Sequence, residues 1–150
     1  LCFLCADMTA LPLSKRFDIV TAVTSLEFCY DKVTALAEIR RLMTDQGCLY
    51  VEVRNADFLP FRLFASILHR FIAWNIIRPY EADGFRDLHF AEWKVLFEQA
   101  GFEVIQLRRS LRPAMYGGVV TRIKNTIIKL VSFITPIKYH YMIGFQCIKR

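Results

Sequence analysis

Residues 17–53 read FDIVTAVTSLEFCYDKVTALAEIRRLMTDQGCLYVEV, and this stretch decides the fold. Phe17–Val23 is an apolar, β-branched run of strand length, followed by a loop over Thr24–Tyr30. Asp31 is a side-chain acceptor placed to cap the helix that runs through Met43. Within that helix Val33, Leu36, Ile39 and Met43 share one face, and Glu38, Arg40 and Arg41 the other. Gly47 stands just beyond, in the place of a helix stop. Cys48–Val53 then alternates as a second strand. Two strands joined through a helix pair in parallel.

Working outward, Leu1–Ala6 reads as a short buried strand, and Asp7–Arg16 as a loop containing Pro12. Glu92–Ala100 is a second amphipathic helix, with Trp93, Leu96, Phe97 and Ala100 inward and Gly101 as its stop. Phe102–Leu107 and Tyr139–Ile148 complete the strands. Helices alternate with strands over residues 1–107, which predicts an α/β layer with a largely parallel sheet. The last strand is reached differently, through a long basic segment.

The chain has 150 residues, 55% hydrophobic, 14% aromatic and 23% charged, which suits one domain or the larger part of one. That composition excludes a disordered chain, a collagen and a coiled coil. Charge is unevenly spread. Residues 1–103 hold 11 basic and 14 acidic side chains, a net of −3, whereas residues 104–150 hold nine basic and no acidic ones, a net of +9. The C-terminal third therefore suits an anionic or apolar partner.

Cys2 and Cys5 form a C-x-x-C, but on a strand they point to opposite faces, and no second ligand pair exists to complete a zinc site. No metal is expected. The five cysteines lie beside apolar residues without a framework, as reduced, buried thiols of a cytoplasmic protein do. No signal peptide is visible, because the chain opens inside an apolar run without a basic flank. That opening, without Met, reads as the middle of a domain.

The runs D-M-T-A-L-P-L (Asp7–Leu13), F-D-I-V (Phe17–Val20), S-L-E-F-C-Y-D (Ser25–Asp31) and A-L-A-E-I-R-R-L-M-T-D-Q-G (Ala35–Gly47) stand in a suggestive order. With H-F-A-E-W-K-V-L-F-E-Q-A-G-F-E-V (His89–Val104), they resemble class I S-adenosylmethionine-dependent methyltransferases. The likeness is greatest to the branch that includes ubiquinone and menaquinone biosynthesis enzymes. It implies a Rossmann-like α/β fold with strand order 3-2-1-4-5-7-6 and strand 7 antiparallel. Leu1–Ala6 would then be strand 3, Phe17–Val23 strand 4, Cys48–Val53 strand 5, Phe102–Leu107 strand 6 and Tyr139–Ile148 strand 7. Strands 1 and 2 have no counterpart, nor do the glycine-rich loop after strand 1 and the acid after strand 2. On this resemblance the chain is the C-terminal portion of one methyltransferase domain, and residues 1–150 alone are expected to be inactive.

The resemblance implies S-adenosylmethionine as cofactor and assigns three residues to it. Asp7 would accept a hydrogen bond from the adenine amino group, and Met8 would meet the adenine ring through its backbone N–H. Val23, at the end of strand 4, would turn its carbonyl toward the methionine moiety. Ser25–Tyr30 matches a family loop, but Phe28 stands where His is common and Tyr30 where Pro is common. Read without the resemblance, Asp7 is an ordinary turn or cap residue.

Nothing in the sequence identifies a catalytic acid or base. Glu27 reads as a solvated or helix-entry carboxylate. His89 sits just before a helix and reads as structural, with substrate contact as the other reading, while His69 and His140 read as surface or interface residues. Trp74 and Trp93 read as core or interface aromatics. Methyl transfer chiefly requires alignment and exclusion of water, because the cofactor carries the reactive group. If a base acts, His89 and Tyr30 are the candidates. A nicotinamide dehydrogenase would need a G-x-G-x-x-G, which residues 1–150 lack.

Two segments interrupt the short connections. Residues 58–80 (FLPFRLFASILHRFIAWNIIRPY) lie in a lid-like insertion over 58–88, and residues 119–134 (VVTRIKNTIIKLVSFI) in a basic amphipathic segment over 108–138. Neither makes a good membrane span, the first because of Arg62, His69 and Arg70, the second because it falls short of about 20 residues. They read either as a cap and a flanking helix, or as a lid and an interfacial patch for a lipid-like substrate at an anionic membrane. Arg62, Arg70, Arg78, Arg122, Lys124 and Lys129 among Phe, Ile and Trp suit the second reading. Nucleic acid is disfavoured, because bulky aliphatics interrupt the basic residues. The expected function is methyl transfer to a small or lipid-like acceptor. The alternative is a non-catalytic remnant or interaction module that docks its basic third on a membrane or an acidic partner.

Overall fold

The computed structural model describes residues 3–58, 88–110, 126, 129–130, 133–140 and 142–150. The insertion over 58–88 and the segment over 108–138 lie largely outside these residues, and with them His69 and Trp74. Four strands form one sheet: β1 (Phe17–Val23), β2 (Met43–Arg54), β3 (Phe102–Ser110) and β4 (Met142–Lys149), in the order β1-β2-β4-β3. β1 and β2 are parallel, and β4 runs antiparallel between β2 and β3. This is the 4-5-7-6 part of the expected order.

The described part of the expected strand Leu1–Ala6 does not join the sheet. Phe3–Ala6 are exposed and form no strand. In the expected order strand 3 is an edge strand whose one neighbour is strand 2, so a sheet that starts at β1 offers it no partner.

Helix α1 (Lys32–Leu42) connects β1 to β2. Asp31 caps it as the sequence predicts, its side chain accepting from the Thr34 N–H at 2.9 Å and the Thr34 hydroxyl at 2.6 Å. Ala35, Leu36, Ile39 and Leu42 are buried, while Val33, expected inward, is half exposed in the first turn. The helix ends before Met43, which belongs to the sheet: it is fully buried and pairs with Phe17. The register shifts before Ile19 pairs with Cys48, so β2 carries an irregularity over 44–47. Gly47 is therefore no helix stop. A Cβ there would meet the Thr44 carbonyl at 3.0 Å and the Phe17 carbonyl at 3.2 Å, so the bulge needs a residue without one.

Helix α2 (Phe90–Gln99) buries Trp93 and Phe97 on the sheet, and Gly101 at φ 78° turns the chain into β3. The aromatic centre joins helix and sheet: Phe97 lies 5.1 Å and Phe90 5.8 Å from Phe145 of β4, centroid to centroid, and Trp93 stacks 6.0 Å from Phe97. Leu49, Val51 and Val53 of β2, with Phe145 and Cys147 of β4, complete this face. Tyr139, expected to open the last strand, lies instead in a 3₁₀ turn over Ile137–Tyr139.

Of the described thiols, Cys147 alone is fully buried, and burial pushes its pKa up to about 12, with a smaller push from Cys48. Cys29 and Cys48 are partly buried, and Cys5 is exposed, contrary to the expectation of buried thiols throughout. It is exposed because the first residues are not in the sheet.

Candidate active site

In an open α/β sheet ligands gather at the carboxyl ends of the parallel strands. Here those are the ends of β1 and β2. At β1 the chain leaves Val23, which is partly buried, and turns at Thr24, whose φ of 48° is rare for a β-branched residue. The Thr24 N–H donates to the Glu52 carbonyl of β2 at 2.9 Å, tying the two ends together. Such backbone strain collects at functional edges, where surrounding contacts hold it in place.

Below the turn, Glu27 is 3% exposed. Of the two expected readings the solvated one is overturned, while Glu27 does stand in the first turn of a 3₁₀ helix, Leu26–Phe28. One oxygen lies 3.3 Å from the Arg54 Nε at the end of β2, and that guanidinium also sits 5.2 Å over the Phe28 ring. Burial of the carboxylate is possible because the cation accompanies it. Glu52, two residues earlier on the same face of β2, is equally buried and accepts from the Tyr50 hydroxyl at 3.3 Å.

Asp7 and Met8 lie in the loop before β1. Asp7 is exposed, and its Oδ1 accepts from the Thr9 N–H at 2.8 Å and the Thr9 hydroxyl at 2.7 Å. These bonds hold its carboxyl below the usual range, the backbone N–H contributing most. Met8 is partly buried and packs on the core. Asp7 is near enough to Cys29, in the loop after β1, for its charge to act on the thiol. Burial is the largest influence on that thiol and raises its pKa, while Lys32, which donates to the Cys29 carbonyl at 2.8 Å, opposes it.

The edge continues past β2. Asn55, 2% exposed, donates from Nδ2 to the carbonyls of Lys138 at 2.7 Å and His140 at 3.1 Å, and accepts from the Asp57 N–H at 3.1 Å. Asp57 in turn holds the start of α2: Oδ2 accepts from the Phe90 N–H at 2.9 Å, and Oδ1 lies 2.9 Å from His89 Nδ1. His140 is fully buried, not a surface residue, with Nε2 3.1 Å from the Thr135 carbonyl. Tyr30 is 80% exposed in the loop after β1, with no hydrogen bond to His89.

Asp7 acts on Cys29 in the loop after β1, Met8 packs on the core, Val23 ends β1, Tyr30 is exposed in that loop, and His89 stands at the start of α2. Glu27, Arg54, Asn55 and Asp57 were not foreseen at this edge. Their long-range pairings span 27 to 85 residues, beyond any local pattern. Among the described residues no group of three metal-ligating side chains occurs.

The residues fit a purine-bearing cofactor. Asp7 is an exposed acceptor whose Oδ2 makes no hydrogen bond among the described residues, and Met8 offers a thioether beside it. Comparison with known proteins agrees. A family described as "Methyltransferase domain" matches residues 1–51. No curated protein sequence matches the chain. Among solved structures, a SAM-dependent methyltransferase of Thermotoga maritima is similar over 95% of this chain and 61% of its own length, at 19% identity and a TM-score of 0.60. Magnesium protoporphyrin IX methyltransferase from Synechocystis, with bound SAH, is similar over 97% and 49%, at 10% identity and a TM-score of 0.56. The [4+2]-cyclase SpnF is similar over 98% and 55%, at 17% identity and a TM-score of 0.58. The chain thus spans about six-tenths or less of each of these three relatives. With a family described as "Methyltransferase domain" matching residues 1–51 and its four described strands in the order of that sheet, the chain has the α/β fold of class I S-adenosylmethionine-dependent methyltransferases.

Proposed function

We propose that the protein transfers a methyl group from S-adenosylmethionine to a small or lipid-like acceptor. The observation that supports this reading is the sheet order, with Asp7 near enough to Cys29 in the loop after β1 to act on it and Met8 packed on the core. When bound, the cofactor supplies a methyl group on a positively charged sulfur. Asp7 holds the adenine amino group through its carboxylate, Met8 packs beside the purine, and the Val23 carbonyl faces the methionine end. The similar cyclase shows why the site must carry the argument, since one fold hosts different chemistries.

Asp7→Ala is expected to weaken cofactor binding about tenfold or more, as loss of a charge-assisted hydrogen bond does. Titration calorimetry with S-adenosylmethionine on the longest natural form of the protein measures it. Because Thr9 lowers the Asp7 pKa, the carboxylate stays ionised as pH falls through the ordinary aspartate range. Affinity should hold through that range and drop only below it. Equal binding by wild type and Asp7→Ala would remove Asp7 from the site, and no binding by wild type would end the methyl-transfer reading. Residues 1–150 alone should bind poorly, because they contain neither the glycine-rich loop nor the acid that normally complete the site.

A second reading, docking on an anionic membrane, is favoured by one observation. Leu130, Phe133 and Ile134 are 61%, 85% and 72% exposed beside an exposed Lys129, and no helix among the described residues is long and apolar enough to cross a membrane. Replacing Arg122, Lys124 and Lys129 together by Gln should leave folding intact. It should weaken binding to phosphatidylserine vesicles about a hundredfold, at roughly 1 kcal/mol per basic residue. Unchanged vesicle sedimentation would sink this reading. Vesicle binding by a protein that binds no cofactor would favour a non-catalytic docking module.

A further inference from the structure

The exposed apolar residues before Thr135 are fixed to the edge at which β1 and β2 end. Asn55 follows β2 directly, and the Thr24 N–H joins the end of β1 to the Glu52 carbonyl at 2.9 Å. The Asn55 amide donates to the carbonyls of Lys138 at 2.7 Å and His140 at 3.1 Å. Asn55 is buried, so water does not compete for these bonds. His140 closes the segment on itself. Its N–H donates to the Ile137 carbonyl at 3.1 Å, and the Nε2 of this fully buried residue lies 3.1 Å from the Thr135 carbonyl. Ile134 adjoins Thr135, with Phe133 before it, so at about 3.8 Å per residue both stay within ~8 Å of chain from the anchored point.

Lys129, Leu130, Phe133 and Ile134 are helical, and their spacing puts them on one face. All four are exposed, Phe133 the most. A helix resting on its own domain turns such apolar residues inward. An apolar face turned outward, with a lysine at its margin, is the arrangement that lies in the headgroup boundary of a bilayer, its apolar side chains about 5–10 Å deep. Charge selects the lipid. Residues 104–150 hold nine basic and no acidic side chains, which complements an anionic surface and adds nothing toward a neutral apolar one.

We propose that the protein docks on an anionic bilayer with the carboxyl ends of β1 and β2 toward the lipid, and that Leu130, Phe133 and Ile134 enter the headgroup boundary. This rests on the docking reading above and adds a direction to it. Basic charge alone fixes no orientation, whereas an apolar face bolted through Asn55 and His140 to one end of the sheet does. The opposite end of the sheet then faces water. Glu103, exposed at the start of β3, marks that end: it pairs with Ile148, which also pairs with Cys48, far along β2 from Asn55.

Vesicles of phosphatidylserine and phosphatidylcholine in equal parts test this on the longest natural form of the protein. Phe133→Ser/Ile134→Ser changes exposed side chains, so thermal unfolding should stay as in wild type. Co-sedimentation with the vesicles should weaken about a hundredfold, because two large apolar side chains no longer leave water. A folded double variant that sediments like wild type would overturn insertion of this face. Orientation is read with brominated acyl chains, which quench tryptophan near the lipid, against wild type as the background. Phe133→Trp should add fluorescence that the brominated lipid quenches, and Glu103→Trp should add fluorescence that it does not. Equal quenching of the two, or quenching of Glu103→Trp alone, would overturn the orientation and leave docking standing. Wild type that does not sediment with the vesicles would instead overturn the docking reading beneath it. A dimer in analytical ultracentrifugation that Phe133→Ser/Ile134→Ser dissolves would also overturn the proposal, by giving the face to a second copy of the chain.

Discussion

Phe145→Ala is expected to cost about 3–5 kcal/mol, within the range for large-to-small aromatic changes in a core. Phe145 is fully buried in β4, opposite Val51 of β2 and Leu107 of β3. Its ring is also where α2 rests on the sheet, through Phe90 at 5.8 Å and Phe97 at 5.1 Å. Removing it opens a cavity between two layers, and neither can collapse into the gap without breaking strand pairing. Domains of this size are stable by about 5–15 kcal/mol, so the loss is about a fifth of the total or more. Equilibrium urea unfolding measures it. Phe145→Leu, which keeps most of the volume, should cost much less. A cost below about 1 kcal/mol for the alanine variant would mean that Phe145 does not join helix to sheet.

Arg54→Leu should be nearly as damaging, at about 3–5 kcal/mol, because it removes the guanidinium that lies 3.3 Å from the buried Glu27 carboxylate. The Glu27 side chain is 2% exposed against 21% for Arg54, so the acid bears most of the desolvation. The double variant Glu27→Leu/Arg54→Leu should recover much of the loss, since an apolar pair replaces a buried ion pair at little cost. A double-mutant cycle in urea separates the two terms. If Arg54→Leu alone costs under 1 kcal/mol, the pair behaves as a surface salt bridge of about 0–1 kcal/mol, and burial does not govern it. The pair also fastens the loop after β1 to the end of β2. Arg54→Leu should therefore weaken cofactor binding even where the variant remains folded.

Much of the fold was legible residue by residue. β1 occupies Phe17–Val23 as its β-branched run predicts, Asp31 caps α1, and Gly101 ends α2 at positive φ. Each depends on interactions within a few residues, the range over which sequence pattern acts. The segment Met43–Gly47 misled for the same reason. Its local pattern is a helix end followed by a glycine, but pairing of Met43 with Phe17 and burial of its side chain draw it into β2. Asp7, Met8 and Val23 were assigned to the cofactor through motif order. The polar pairs Glu27–Arg54 and Asp57–His89 were not, because each joins residues that no short-range rule relates.

By itself, then, the sequence determined most of the elements, which runs extend and which coil, and that they make an α/β layer with basic charge gathered in its last third. Tertiary structure decided the rest. It placed β4 between β2 and β3, left Phe3–Ala6 outside the sheet, buried Glu27 and His140, and turned the His89 ring onto Asp57. The physical reason is one of range. Backbone preference and capping are settled within a turn or two of chain, whereas strand order and the partners of buried polar groups are settled by which arrangement best covers the aromatic centre around Phe145.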